Sequence, residues 1–77
     1  MTIELFIEHF AAQLEDTDPA TITPETVFRD IEEWDSLMAL SLIAMADEEY
    51  QVKLTGEDIR TSKTVAELFD KVKSKLA

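Results

Sequence analysis

The sequence predicts an all-α fold, a small four-helix bundle with three main helices, one short helix and a long first loop. The chain has 77 residues, no cysteine and 45% apolar residues. Because no disulfide can support so small a domain, compact helix packing must provide its stability. One glycine and two prolines are too few for the many tight turns of an all-β fold. We expect residues 1–77 to form a single domain.

The first helix is predicted from apolar residues spaced to share one helix face. These residues are Ile3, Phe6, Ile7, Phe10, Ala11 and Leu14. Residues 16–26 have no helical period and contain two prolines, so they are expected to form a long connection. Within it, Thr23 is expected to cap a short turn that begins at Pro24. Apolar residues then hold the loop on the core, namely Val27, Phe28 and Ile31.

The second helix is predicted from Ser36 to Tyr50 and is unusual because it is apolar on nearly every side. The only polar residue between Leu37 and Ala46 is Ser41. Two interpretations remain open: a helix buried on most sides, or one with an apolar exposed face. For the second, the core residues are expected to be Leu37, Leu40, Ile43 and Ala44. Three residues then lie near the surface, where methionine suits adaptable binding: Met38, Leu42 and Met45.

The last third of the chain predicts a short helix and a final main helix. Residues 52–54 form an extended link, and Thr55 caps a brief helical turn through residues 57–59. The final helix begins at a Thr64–Glu67 capping box. Its apolar face consists of Val65, Leu68, Phe69, Val72 and Leu76. One core is expected to unite Phe6, Phe10, Leu40, Phe69 and Val72.

The net charge of the chain indicates which kinds of partner it can bind. Seventeen acidic and seven basic residues give a net charge of −10, and no base lies between Asp30 and Glu49. Such a potential repels nucleic acid and anionic lipid and attracts basic protein surfaces. No apolar run approaches the roughly 20 residues that span a bilayer, and the amino terminus lacks a basic secretory segment. We therefore expect a cytoplasmic protein without nucleic-acid binding or membrane insertion.

The tripeptide Asp35-Ser36-Leu37 stands where an acidic loop meets the apolar second helix. Read alone, it is a helix start, since Asp and Ser commonly cap helices. In this acidic four-helix pattern, with its long first loop, it resembles the corresponding motif of the acyl carrier proteins. The likeness covers essentially the whole chain and includes the acidic-then-aromatic ending of the second helix, residues 47–50.

The resemblance implies that Ser36 carries 4′-phosphopantetheine, covalently attached from coenzyme A. The thiol of that arm holds acyl intermediates as thioesters, so the protein is a carrier and not an enzyme. Implied pathways are fatty-acid, lipid, polyketide or related secondary biosynthesis. Implied partners are a phosphopantetheinyl transferase (a holo-carrier synthase), a ketosynthase, and an acyltransferase or acyl-activating ligase. The protein is expected to be monomeric.

The chain departs from the usual pattern of fatty-acid carriers around this serine. Glu33 and Trp34 stand where a glycine usually leads in, and Met38 and Ser41 replace usual acids. These differences predict a specialised, freestanding carrier with its own partners. The expected partner contacts are Trp34, Asp35, Leu37, Met38, Met45, Glu48 and Glu49. Trp34 is either a partner anchor or a cover for the loop edge.

Other constellations are weaker. Asp30, Glu32, Glu33 and Asp35 lack the glycine and the twelfth-position acid of a calcium loop, so no metal site is predicted. His9, the only histidine, is expected to face solvent, which leaves no Ser-His-acid triad. Two alternatives stay open: an aminoacyl or peptidyl carrier, and a non-covalent acidic interaction module.

Overall fold

The computed structural model describes residues 2–76, and within them the predicted helical bundle is confirmed. Its helices are α1 (Ile3–Ala11), α2 (Ser36–Tyr50), α3 (Gly56–Arg60) and α4 (Val65–Lys75). The described part of the chain has no strand beyond an isolated bridge between Val27 and Thr64. None of its helices combines the length and apolarity needed to cross a membrane.

Each helix begins at a side-chain cap that local sequence accounts for. Asp35 caps α2, and Thr2, Thr55 and Thr64 cap α1, α3 and α4. Each cap oxygen accepts one of the backbone N–H groups that a first turn leaves unpaired. The predicted box at α4 forms only in part, because Glu67 accepts the N–H of Lys63 and not that of Thr64.

The first loop is held by short 3-10 turns and by the start of α4. The turns are Pro19–Thr21 and Phe28–Asp30. The first-turn N–H groups of Val65 and Ala66 donate to the carbonyl oxygens of Thr26 and Pro24 over 3.0 and 2.9 Å. The predicted Thr23 cap is wrong in direction: the Thr26 hydroxyl accepts the N–H of Thr23 over 2.8 Å.

Aromatic rings from α1, the loop and α4 form the centre of the core. Phe6 lies 5.5 Å from Phe69 and 6.5 Å from Phe10, measured between ring centroids. Phe10 in turn lies 6.3 Å from Phe28, which anchors the loop as predicted. The buried apolar residues form one cluster that takes in α1, the loop and all later helices.

The predicted orientation of α2 is wrong and is nearly the reverse of the true one. The expected surface residues Met38, Leu42 and Met45 are at most 6% exposed. The expected core residues Leu37 and Leu40 are 69% and 61% exposed, and Ala44 is also exposed. Only Ile43, which is half-buried, packs against the core as expected. The residues on all sides are apolar, so periodicity alone does not orient this helix.

Candidate functional site

Ser36 is exposed at the first position of α2, where Asp35 fixes the start of the helix. Asp35 has an extended backbone, and its Oδ1 accepts the N–H of Met38 over 2.9 Å. The serine hydroxyl therefore stands beside the positive end of a 15-residue helix. A phosphate attached there gains from the helix dipole and from first-turn N–H groups.

A cavity of about 510 Å³ adjoins Ser36 between α2 and α3. Its apolar wall consists of Trp34, Ala39 and Ile59, and its remaining lining consists of Arg29, Asp35, Ser36, Gly56 and Arg60. It is a depression open to solvent in which apolar surface lies beside a few charged groups, a combination that small-molecule sites also show.

Trp34 is half-buried at this cavity and rests on the core. Its ring centroid lies 5.0 Å from that of Phe28, which is fully buried. The contact fixes the indole at the entrance of α2, so the residue both covers the loop edge and presents a face to the cavity.

Glu33 ties the approach to Ser36 to the first loop. Its carboxylate accepts the backbone N–H groups of Glu15, Asp16 and Thr17 over 3.0, 3.1 and 2.9 Å. The pKa of Glu33 is lowered, first by the Thr17 side chain and then by these backbone donors, which together outweigh desolvation. Glu33 thus has a structural role at the approach to the serine.

The side of α2 that faces away from the buried residues Met38, Leu42 and Met45 carries an exposed apolar strip, defined here as Leu37, Leu40 and Ala44. Residues three and seven positions apart share a helix face, so the three side chains are neighbours. A groove of about 520 Å³ runs beside this strip and is also lined by Gln13 and Glu15 of the loop. Large exposed leucines in line with Ser36 are the kind of surface that a partner protein covers.

The predicted partner contacts separate into three groups. Trp34, Asp35 and Leu37 lie beside Ser36. Glu48 and Glu49 are exposed at the other end of α2, about 20 Å away at the helical rise per residue. Met38 and Met45 are buried, and their predicted position on the binding surface is wrong.

His9 packs at the far end of α2 and does not face solvent as expected. Its Nδ1 lies 2.8 Å from the Tyr50 hydroxyl, and its Nε2 lies 3.8 Å from Glu49 Oε1. Burial, followed by the charge of Glu49, raises the pKa of Tyr50. This cluster lies about 14 helical residues from Ser36 and takes no part in the serine site.

The acidic loop before α2 forms no cluster of three or more metal-ligating side chains within residues 2–76. Glu33, one of the acids noted in the sequence, is engaged with backbone donors.

Three residues of the site were missed by sequence reasoning. Arg29 and Arg60 both line the cavity although they are far apart in the chain, and no local pattern connects them. Arg29 Nη1 donates to the Ile59 carbonyl oxygen over 2.9 Å, which brings the loop to α3. Leu40 was placed in the core because the apolar run hides which side faces outward.

Comparison with known proteins agrees with this geometry. The family model described as "Phosphopantetheine attachment site" matches residues 4–72. A protein named acyl carrier protein from Thermosynechococcus vestitus is 33% identical over 60 residues, which cover 78% of this chain and 74% of that relative. The family match spans the serine at the start of α2.

Proposed function

Because the chain belongs to the acyl carrier protein family, with covalently attached 4′-phosphopantetheine as its cofactor, we propose that Ser36 is the attachment site and that residues 1–77 form one carrier domain. The observation that carries this proposal is the position of Ser36. Its hydroxyl is exposed at the first turn of α2, beside a cavity large enough for part of a small-molecule arm.

The residues around Ser36 fit the attachment of a phosphate. In the transfer, the Ser36 oxygen bonds to the pantetheine phosphorus of coenzyme A, and the P–O bond within the diphosphate breaks. Adenosine 3′,5′-bisphosphate leaves with the bonding electron pair, and the hydroxyl proton passes to a base of the transferase. Asp35 already accepts the N–H of Met38, so its contribution is to hold the helix start in place.

We propose that this protein, like its family, acts as a carrier and not as a catalyst. It would hold acyl groups as thioesters on the thiol of the arm. The chain has no cysteine, so the arm supplies the only sulfhydryl. We place the carrier in the cytoplasm, in fatty-acid-like, lipid, polyketide or related secondary biosynthesis. Its partners would be a phosphopantetheinyl transferase, a ketosynthase and an acyltransferase or acyl-activating ligase.

Partner enzymes would dock around Ser36 on a surface that combines charge and apolar contact. The acids near the serine, Asp35 among them, attract basic partner surfaces. The strip Leu37, Leu40 and Ala44 adds apolar area beside Ser41, one of the two positions where fatty-acid carriers usually present acids. Glu48 and Glu49 extend the acidic surface at the other end of α2. This mixture favours dedicated partners over housekeeping fatty-acid enzymes.

The test is the intact mass of the protein after incubation with coenzyme A and a phosphopantetheinyl transferase. Wild type is expected to gain one phosphopantetheine, Ser36→Ala none, and the control Ser41→Ala one, since Ser41 lies within the same helix. A mass gain in Ser36→Ala would overturn the assignment. Wild type without any gain would favour the non-covalent interaction module. Loading of the holo form with acyl against aminoacyl groups separates the two carrier alternatives.

A further inference from the structure

Two arginines border the cavity beside Ser36 in a protein whose net charge is −10. The first is Arg29, from the loop, and the second is Arg60, at the end of α3. No base lies in the sequence between Asp30 and Glu49, so the positive charge near Ser36 is brought there by the fold.

We propose that Arg29 and Arg60 are positioning residues that seat the phosphopantetheine arm in the cavity between α2 and α3, with its phosphodiester facing the guanidinium groups. The inference rests on Ser36 being the attachment site. It adds a resting position for the arm and names the side chains that hold it there.

The charges of the cavity lining favour an anion next to Ser36. Asp35 is the one acid among the lining residues, against two guanidinium groups. A guanidinium presents a planar fork of donors that matches two oxygens of a phosphate. Because the phosphodiester is bonded directly to Ser36, it enters the cavity mouth whatever acyl group the arm carries.

Both arginines are held near the cavity by interactions that leave donors free for a phosphate. Arg29 uses Nη1 for the Ile59 carbonyl oxygen, and its guanidinium carbon lies 5.2 Å from the Phe28 ring centroid. Arg60 Nη2 pairs with Glu57, but the two side chains are 70% and 61% exposed. Exposed pairs contribute little free energy, so Arg60 can exchange Glu57 for a phosphate at small cost.

The rest of the cavity suits the uncharged part of the arm. Trp34, Ala39 and Ile59 provide an apolar wall. Gly56 adds no side chain, and a Cβ built there would meet nothing within 4 Å. The gem-dimethyl group that follows the phosphate in pantetheine is apolar and matches this wall.

Trp34 reports on the seating directly, because it is the only tryptophan of the chain and lines the cavity. The experiment compares apo and holo wild type, with conversion checked by intact mass, through acrylamide quenching of Trp34 fluorescence. We expect holo conversion to lower the quenching constant, because an arm that lies against the cavity wall shields the exposed part of the half-buried indole. The phosphorus NMR shift of the holo form should also move as added salt screens the guanidinium groups.

The variant Arg29→Gln/Arg60→Gln should lose both effects while still gaining the pantetheine mass. Arg60→Gln alone, which removes no contact with the core, should lose part of them even if the double variant folds poorly. Arg29→Lys/Arg60→Lys should recover part of the NMR effect, because it keeps the charges and loses the fork. The control Lys53→Gln/Lys63→Gln removes two positive charges outside the cavity lining and should behave as wild type.

Three results distinguish failure of this inference from failure of the proposed function. Wild type that gains no pantetheine mass overturns both. Holo wild type that is quenched like the apo form, or a double glutamine variant that behaves like wild type, overturns the seating by Arg29 and Arg60 alone.

Discussion

The Glu33 carboxylate accepts the backbone N–H of Thr17 over 2.9 Å and so joins two parts of the chain that flank the serine site. The same carboxylate accepts the N–H groups of the two residues before Thr17. One side chain thus closes the first loop against the segment that leads into α2. The position of Ser36 therefore depends on a loop with no regular secondary structure at this point.

Glu33→Gln should lower the thermal midpoint of unfolding near neutral pH. Three backbone N–H groups donate to the two carboxylate oxygens of Glu33, whereas a glutamine side chain has only one acceptor oxygen. The pKa of Glu33 is lowered in the folded state from 4.5. Its stabilising contribution is therefore present above about pH 4.5 and is lost as the pH falls through the lower folded value. The difference between wild type and variant should shrink over that acidic range.

Circular dichroism melts across the range test this prediction, and Glu32→Gln is the matched control. Glu32 is exposed and adjacent, so its variant should melt close to wild type. A difference between Glu33→Gln and wild type that is the same at neutral and acidic pH would contradict the role assigned to the carboxylate.

Met38→Asp and Leu40→Asp should differ strongly in stability although the two positions are only two residues apart in α2. Met38 is 6% exposed, and a carboxylate there loses core packing and leaves a polar group buried, at a cost of about 2–5 kcal/mol. Leu40 is 61% exposed, and its substitution should cost less than about 1 kcal/mol. Urea denaturation measures both.

The variants Met38→Asp and Leu40→Asp also separate an effect on stability from an effect on the choice of partner enzyme. In holo form, Leu40→Asp should weaken acyl transfer with a partner that covers the apolar strip and improve it with a ketosynthase that offers a basic surface. Equal transfer by wild type and Leu40→Asp with both enzymes would remove the strip from the docking surface.

Tyr50 should titrate above 10.0 in the folded protein and near 10.0 when denatured, because burial raises its pKa. It is the only tyrosine of the chain, so ultraviolet absorbance of the phenolate follows it directly. Glu49→Gln should lower the midpoint of the Tyr50 titration slightly, because the charge of Glu49 is the smaller of the two causes that raise this pKa. The control Glu48→Gln should leave the midpoint unchanged. Since the folded pKa is the higher one, the phenol's contribution to stability is present below pH 10.0 and is lost above it. A folded midpoint at or below that of the denatured chain would contradict the burial.

Gly56→Ala should raise the free energy of unfolding by about 0.4–1 kcal/mol, because alanine loses less backbone entropy on folding. Gly56 begins α3, has no positive φ, and has open space where a Cβ would lie. Urea denaturation with an unchanged slope is the measurement. A loss of stability would show that this glycine is needed for its conformation.

The helix starts could be predicted from neighbouring residues in the sequence. Features that depend on contacts between distant residues could not. Asp35, Thr55 and Thr64 cap helices where they were expected, because a cap depends on residues within three positions. The bounds Ser36–Tyr50 of α2 were likewise predictable from its cap and its apolar run. Its rotation was not, since only contacts with other helices decide which apolar side is covered.

The serine site shows the same division. Ser36 was identified from its motif, and the structure adds its exposure and the adjoining cavity. The partners of Glu33 lie 16 to 18 residues away in a segment without periodicity. Arg29 and Arg60 line the same cavity although they are far apart in the chain, and the Arg29 side chain reaches the carbonyl oxygen of Ile59, the residue before Arg60.

The first loop stabilises the start of the last helix, because the N–H groups of Val65 and Ala66 donate to the carbonyl oxygens of Thr26 and Pro24. Two of the N–H groups that open α4 are completed by a segment about 40 residues earlier in the chain, so this helix start is assembled from distant parts. The loop therefore tolerates changes of length unevenly. A change of length within residues 24–27 is expected to break the bonds to Val65 and Ala66 and to unravel the amino-terminal turn of α4. Variation among natural carriers of this shape should be concentrated accordingly.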